Sequence, residues 1–169
     1  MRFVTVVGDP RPQSRTLTVA VQAAGAIGEA AALDDRGEVI DLSGLARRLL
    51  LAEPSSAVED ALEQVTEADL ALVASPAVKG SYSGLLKVFL DRLPHRALAG
   101  AVAFPLLVMG APQHALAVEV HLRPLLVELG ATVPTPGLAV LEPDLGALAQ
   151  VLHPWAAAVT AGLRERATA

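Results

Sequence analysis

The sequence predicts an α/β protein, with one parallel sheet of five strands covered by helices on both faces. Three observations carry this. Five short apolar runs rich in Val, Leu and Ala recur along the 169 residues. The segments between them place apolar residues at helical spacing. Most runs stop at Gly, Pro or Ser instead of continuing. Strands that alternate with helices build parallel sheets, and near-continuous apolar runs suit strands buried on both faces.

The elements follow in order. Phe3-Val4-Thr5-Val6-Val7 is a strand stopped by Gly8. From Ser14, the residues Leu17, Val21, Ala24 and Ile27 are spaced for a helix. Glu38 to Leu42 is a second strand. Ser55 or Ser56 caps a helix over Val58, Leu62 and Val65, with Glu59 reaching back from the first turn. Leu70 to Ala74 is a third strand, ended by Ser75-Pro76. Tyr82 or Ser83 opens a helix over Leu86, Phe89, Leu90 and Leu93, stopped by Pro94. Ala101 to Met109 is a fourth strand, ended by Gly110. A long helix is expected from about Gln113 to Leu129, closed by Gly130. Thr132 to Leu141 is the fifth strand, broken by Pro134 and Pro136, and residues 144–166 form the last helix. There Leu145, Leu148, Leu152, Trp155 and Val159 recur at helical spacing, as a core or subunit face. The expected strand order is 2-1-3-4-5, a flavodoxin-like three-layer sandwich in a single domain over residues 1–169.

Composition narrows the function classes. Hydrophobic residues are 53% and charged residues 18%, which excludes a disordered chain. Aromatics are only 3%, so the core must be aliphatic, and the near-all-round apolar helices 113–129 and 144–163 suit a subunit interface. Apolar stretches of about ten residues are too short to span a bilayer. The first apolar run breaks at Gly8-Asp9-Pro10-Arg11-Pro12, so no leader is expected, and the chain reads as soluble and cytoplasmic. A net charge of −5 with few aromatics argues against a nucleic-acid partner. The absence of cysteine excludes disulfides, thiolate metal sites and a Cys nucleophile. His114 and His121 stand at i, i+7, too far apart for a metal pair without further ligands, so no metal is expected. There is no G-x-S-x-G, and no carboxylate pair lies in the loops considered next, so no catalytic side chain is nominated.

In open α/β sheets a ligand lies beyond the carboxyl ends of the strands, near the switch between strands 1 and 3. That directs attention to loops 8–16, 75–84 and 109–115. The first joins a strand to a helix N-terminus, whose free N–H groups and partial positive charge suit a phosphate, with Arg11 and Arg15 adding charge and Ser14 and Thr16 adding hydroxyls. It fits neither G-x-G-x-x-G nor G-x-x-x-x-G-K-[ST]. An ordinary N-cap with solvated arginines is the competing reading. In the second loop Gly80 and Gly84 allow close backbone approach, and Ser81, Tyr82 and Ser83 supply donors; the competing reading is a turn plus a helix cap. The third loop holds Gly110 at a strand end, which by itself reads as a turn. On one sheet edge, the three together point to a phosphorylated heterocycle.

These residues also carry a family resemblance. Gly8-Asp9-Pro10-Arg11-Pro12-Gln13-Ser14-Arg15-Thr16 resembles the phosphate loop G-S/N-P-R/K-P-x-S-R-T of the NAD(P)H-dependent FMN reductases. Residues Ser75 to Lys87 are similar to their flavin loop, and Gly110 to Pro124 resembles a segment of the sulfonate-utilisation subgroup. The resemblance spans roughly residues 2–135. It implies a flavodoxin-like fold and a homodimer or homotetramer. It also implies FMN at the sheet edge, reduced by hydride from NADPH or NADH at flavin N5, and delivery of reduced flavin to a separate monooxygenase. It implies that Arg11, Ser14, Arg15 and Thr16 hold the phosphate, with Asp9 in the same loop. Pro76, Ala77, Val78, Lys79, Gly80 and Ser81 would line the flavin, and Gly110 and Ala111 would approach the ring's polar edge. The protein's part is then orientation and electrostatics, not acid–base chemistry.

Three positions depart from the family pattern. Asp9 stands where Ser or Asn is usual, and a carboxylate beside a phosphate repels it unless it points away or the arginines offset it. On this ground Asp9→Ser is expected to tighten FMN. Val78 replaces the usual Tyr, and Val120 replaces an aromatic of the subgroup's tetramer helix. The first two suit FMN used as a transferable substrate. A quinone or azo reductase with tightly held FMN, and a non-catalytic relative without flavin, are the alternative readings.

Overall fold

The computed structural model describes residues 1–33, 37–51 and 53–167. Strands β1 (Phe3–Val7), β2 (Glu38–Asp41), β3 (Leu70–Pro76), β4 (Val102–Met109) and β5 (Leu138–Leu141) form one sheet in the order β2-β1-β3-β4-β5. Every neighbouring pair is parallel, with Val7 beside Ala74 and Pro76 beside Val108 at the carboxyl end. The helices are α1 (Arg15–Ala31), the one-turn α2 (Ala46–Leu49), α3 (Ser56–Thr66), α4 (Gly84–Leu90), α5 (Arg123–Glu128) and α6 (Leu148–Ala167).

The period of two along each strand builds the two covered faces. Val4, Val6, Ala71, Val73, Ala103 and Leu107 point to the layer holding α3, α4 and α5. Phe3, Val7, Leu70, Leu72, Phe104 and Leu106 point to the layer holding α1 and α6. β1, β3 and β4 are buried along their whole length. Each fully buried Leu, Ile or Phe contributes about 1.5–3 kcal/mol. Phe104 meets the edge of Trp155 at 6.4 Å and 82°, and with Phe3 and Phe89 these rings are set in a mostly aliphatic core. Leu148, Leu152, Ala156 and Val159 of α6 lie in this core, so the helix turns its apolar stripe on the sheet and leaves Gln150, His153 and Ala157 outside. Among the described residues no helix is long and apolar enough to cross a membrane.

Three expected elements differ. The last helix, expected from 144, opens as a 3-10 helix (Glu142–Ala147) with Pro143 in its first turn, and is α-helical only from Leu148. The single helix over 113–129 is broken into a 3-10 turn (Pro112–His114), a π-helical segment (Val118–Leu122) and α5. Pro124 has no N–H to return to the carbonyl four residues back, and the chain rewinds so that Arg123 N–H reaches the Val118 carbonyl instead. The fifth strand is shorter than 132–141. Thr132 makes only an isolated bridge to Val102, and pairing resumes at Leu138. Pro134 and Pro136 cannot donate to a ladder. The carbonyls of Val133 and Thr135 are taken by the Arg123 guanidinium, whose Nε also reaches Glu119 at 2.5 Å. Glu119 in turn accepts from Gly137 N–H at 2.5 Å, so a side-chain clamp does here what a strand would have done.

Candidate flavin site

Loop 8–14 leaves β1 with its shape set by one side chain. Asp9 is fully buried, and its carboxylate accepts Arg11 N–H at 3.0 Å, Arg11 Nε at 3.1 Å, Arg11 Nη2 at 3.1 Å and Thr16 Oγ1 at 2.8 Å. Burial pushes this carboxyl up, but the hydrogen bonds from Arg11 and Thr16 outweigh it and hold it below the ordinary aspartate value. Gln13 turns the chain at φ 52°, and Ser14 then caps α1 by accepting Leu17 N–H at 3.0 Å. Arg15 and Thr16 open α1, so their N–H groups have no intrahelical partner.

Loop 75–84 leaves β3 with its shape set by main chain. Val78 N–H donates to Ser81 O at 2.8 Å and Ser81 N–H to Val78 O at 3.1 Å. The two residues between, Lys79 and Gly80, have φ of 51° and 78°, the positive pair that a type I′ turn requires. Ser75 Oγ accepts Ser83 N–H at 2.9 Å. Ser83 Oγ donates to Gly8 O and caps α4 by accepting Leu86 N–H at 3.0 Å, which ties the two loops together. Ser83 is therefore buried and occupied, and is not among the donors open to a ligand.

A cleft of about 430 Å³ opens between these loops. Its floor is Pro76 and Val108, at the carboxyl ends of β3 and β4. One wall is Asp9, Pro10 and Arg11, and the other is Ala77, Val78 and Lys79. Gly110 and Glu142 close its far side. The structure thus gathers seven of the nominated residues (Asp9, Arg11, Pro76, Ala77, Val78, Lys79 and Gly110) around one cavity of ordinary ligand size. Arg15 lines an adjoining cleft with Gly110, Glu142 and Leu145. Ser14 and Thr16 are buried at the start of α1, and Gly80 and Ser81 lie in the turn beyond Lys79. Ala111 follows Gly110, partly buried.

Glu142 was not nominated by its sequence. It follows the last residue of β5, pairs with Arg15 Nη1, and borders both clefts. The signal that finds it is the rule for strand carboxyl ends, applied to the fifth strand as well as the first. Another cleft of about 420 Å³, lined by Arg2, Phe3, Glu38 and Glu67, lies at the amino ends of the strands, away from where ligands bind in such sheets.

The residues fit a phosphorylated planar ligand. The cleft presents Arg11 and Lys79 for an anion, and Val78 and Pro76 for a ring face. The first residue of α1, Arg15, faces the adjoining cleft, which shares Gly110 and Glu142 with it. A Cβ added to Gly110 would meet no protein atom within 4 Å, so the backbone there is open to close approach.

Comparison with known proteins decides the family. The family model described as NADPH-dependent FMN reductase matches residues 1–144. The chain belongs to this family. It is similar to the FMN reductase (NADPH) of Escherichia coli (strain K12), with 38% identity over 133 residues, 78% of this chain and 68% of that protein. The NADH-dependent FMN reductase SfnE of Pseudomonas putida is 34% identical over 129 residues, covering 74% of this chain and 68% of its own. Among solved structures, the apo form of the NADH:FMN oxidoreductase EMOB superposes with a TM-score of 0.77 at 31% identity, over 92% of this chain and 88% of that one. The FMN reductase family thus supplies both the flavodoxin-like fold and the ligand class that the cleft fits.

Proposed function

We propose that this chain is an NAD(P)H-dependent FMN reductase that hands reduced flavin to a separate monooxygenase. The observation that carries the reading is the cleft between loops 8–14 and 75–84, at the carboxyl ends of β1, β3 and β4, in a chain of the FMN reductase family. FMN, when bound, supplies the acceptor for the nicotinamide hydride. The N-terminus of α1 and the arginines of loop 8–16 hold the phosphate. The Val78-Lys79-Gly80 turn and Pro76 flank the ring, and the open backbone at Gly110 lets its polar edge approach. No side chain is asked to move a proton, so positioning is the protein's contribution. NADH and NADPH are both admitted, since the relatives include both kinds.

Val78 at 44% exposure offers a modest apolar contact in place of an aromatic one, which supports flavin that comes and goes. An assembly of two or four copies in the cytoplasm belongs to the same reading. Leu116, Val120 and Val127 are 71%, 56% and 54% exposed on one segment, and covering them supports it.

The test is oxidation of NADH and of NADPH by the purified chain with and without added FMN, together with quenching of flavin fluorescence. Colourless protein that oxidises either nucleotide only when FMN is added is the expected result. No flavin-dependent oxidation and no quenching would overturn the proposal. Protein that purifies yellow and reduces quinones without added FMN would favour a tightly loaded reductase.

A further inference from the structure

Two arginines nominated for the phosphate are already paired to acids of this chain, and the two pairs are built differently. Arg11 is held by Asp9, whose side chain is fully buried and accepts four hydrogen bonds. Giving up those donors would leave a buried carboxylate unpaired, a large penalty. Arg15 is held by Glu142 alone among the described residues. Their side chains are 65% and 30% exposed, and such a pair is weak and screened by salt. The Arg15–Glu142 pair joins the first residue of α1 to the residue after β5. Its members border two clefts that share Gly110.

We infer that Glu142 is a built-in competitor for the flavin phosphate. Its carboxylate and the phosphate exchange on Arg15, while Asp9 and Arg11 stay fixed. A phosphate monoester brings nearly two charges and three acceptor oxygens against one carboxylate, so it wins the exchange, but at an affinity lowered by the pair it breaks. The device tunes FMN against flavins without a phosphate, and keeps the hold on FMN loose. The inference rests on the flavin reading above.

The experiment measures FMN and riboflavin affinity by fluorescence quenching at low salt, for the full chain and four variants: Glu142→Gln, Arg15→Gln, the two combined, and Glu142→Asp. Glu142→Gln is expected to tighten FMN about three- to fivefold and leave riboflavin unchanged, the size of a partly exposed ion pair. In an Arg15→Gln background the gain disappears, because the two residues act as one unit. Added salt shrinks the gain in the single variant. Unchanged FMN affinity in Glu142→Gln overturns the inference, as does equal tightening of riboflavin. A gain that survives Arg15→Gln also overturns it, because Glu142 would then act only through its general field. Glu142→Asp, which shortens the reach to Arg15, is expected to give a smaller gain in the same direction. If the unmodified chain binds neither flavin, the flavin reading has failed, and inorganic phosphate titrated by calorimetry becomes the probe. Phosphate tightened by Glu142→Gln alone then upholds the exchange, and phosphate bound equally by all variants or by none overturns it.

Discussion

The two loops that face each other across the cleft are held by opposite means. Loop 8–14 is organised by a buried charged side chain, Asp9, which gathers a backbone N–H, a guanidinium and a hydroxyl. Loop 77–81 is organised by reciprocal main-chain bonds around a two-residue turn, and its side chains Val78 and Lys79 stand out in solvent. The difference teaches where each loop is vulnerable. The first depends on charge and tolerates little chemical change at one position. The second depends on φ and tolerates side-chain change wherever the backbone conformation survives.

The largest expected effect is at Asp9. Asp9→Asn should lower stability by about 2–3 kcal/mol, measured by denaturant unfolding at neutral pH, because charge-assisted bonds to a buried acceptor are weakened. Exposure of Arg11, at 67%, keeps the loss from being larger. The native carboxyl titrates below its ordinary 3.8, so its contribution is fully present above that value and is lost as pH falls through the lowered one. The gap between the two proteins should therefore stay constant from neutral pH to about pH 4 and close only below it. A gap that closes near pH 6 would show that another group is responsible. Asp9→Ser, expected from the sequence pattern to tighten FMN, should instead weaken it by loosening the loop.

Gly8 joins the two loops and gives the next effect. A Cβ there would lie 2.5 Å from Leu86 Cβ in α4, so Gly8→Ala should cost about 1–3 kcal/mol, read by the same unfolding assay. An unchanged midpoint would mean that α4 shifts freely, and that the Ser83 tie is not rigid.

Gly80 isolates the backbone term. At φ 78° with open space around the added Cβ, Gly80→Ala should lose only about 1 kcal/mol, all of it conformational. A larger loss would mean that the second loop is also held by packing, and the contrast with the first would weaken.

The smallest effect on the fold is expected at Val78. Val78→Tyr should leave unfolding nearly unchanged, because the site is 44% exposed, yet tighten flavin about threefold to tenfold through a new aromatic contact. Flavin affinity that does not move would place the ring away from this wall.

Much of the fold is legible in the sequence. The apolar runs at 3–7, 70–74 and 101–109 are too short for helices and too continuous for half-exposed strands, and strands buried on both faces are what remains. The two largest departures share a cause. At Pro124, and again at Pro134 and Pro136, a missing N–H overrides the local apolar pattern. What replaces the lost bonds is a π-helical segment in one place and the Glu119–Arg123 clamp in the other. The first solution shifts one bond by a single residue, from four back to five, which apolar spacing does not reveal. The second joins Glu119 and Arg123 to backbone 10 to 18 residues onward, outside the period of a helix or strand.

For the site, loop membership was legible and orientation was not. Arg11, Pro76, Val78, Lys79 and Gly110 could be placed at one sheet edge from strand order alone. That Asp9 turns inward, that Thr16 serves Asp9, and that Arg15 is met by Glu142 from 127 residues away were decided only in three dimensions. The reason is physical. Hydrophobic periodicity is a property of consecutive residues, so the sequence determines layers and strand order. A buried carboxylate chooses its direction by the donors that fold around it, and an ion pair between α1 and the end of β5 exists only once the sheet has brought the two ends together.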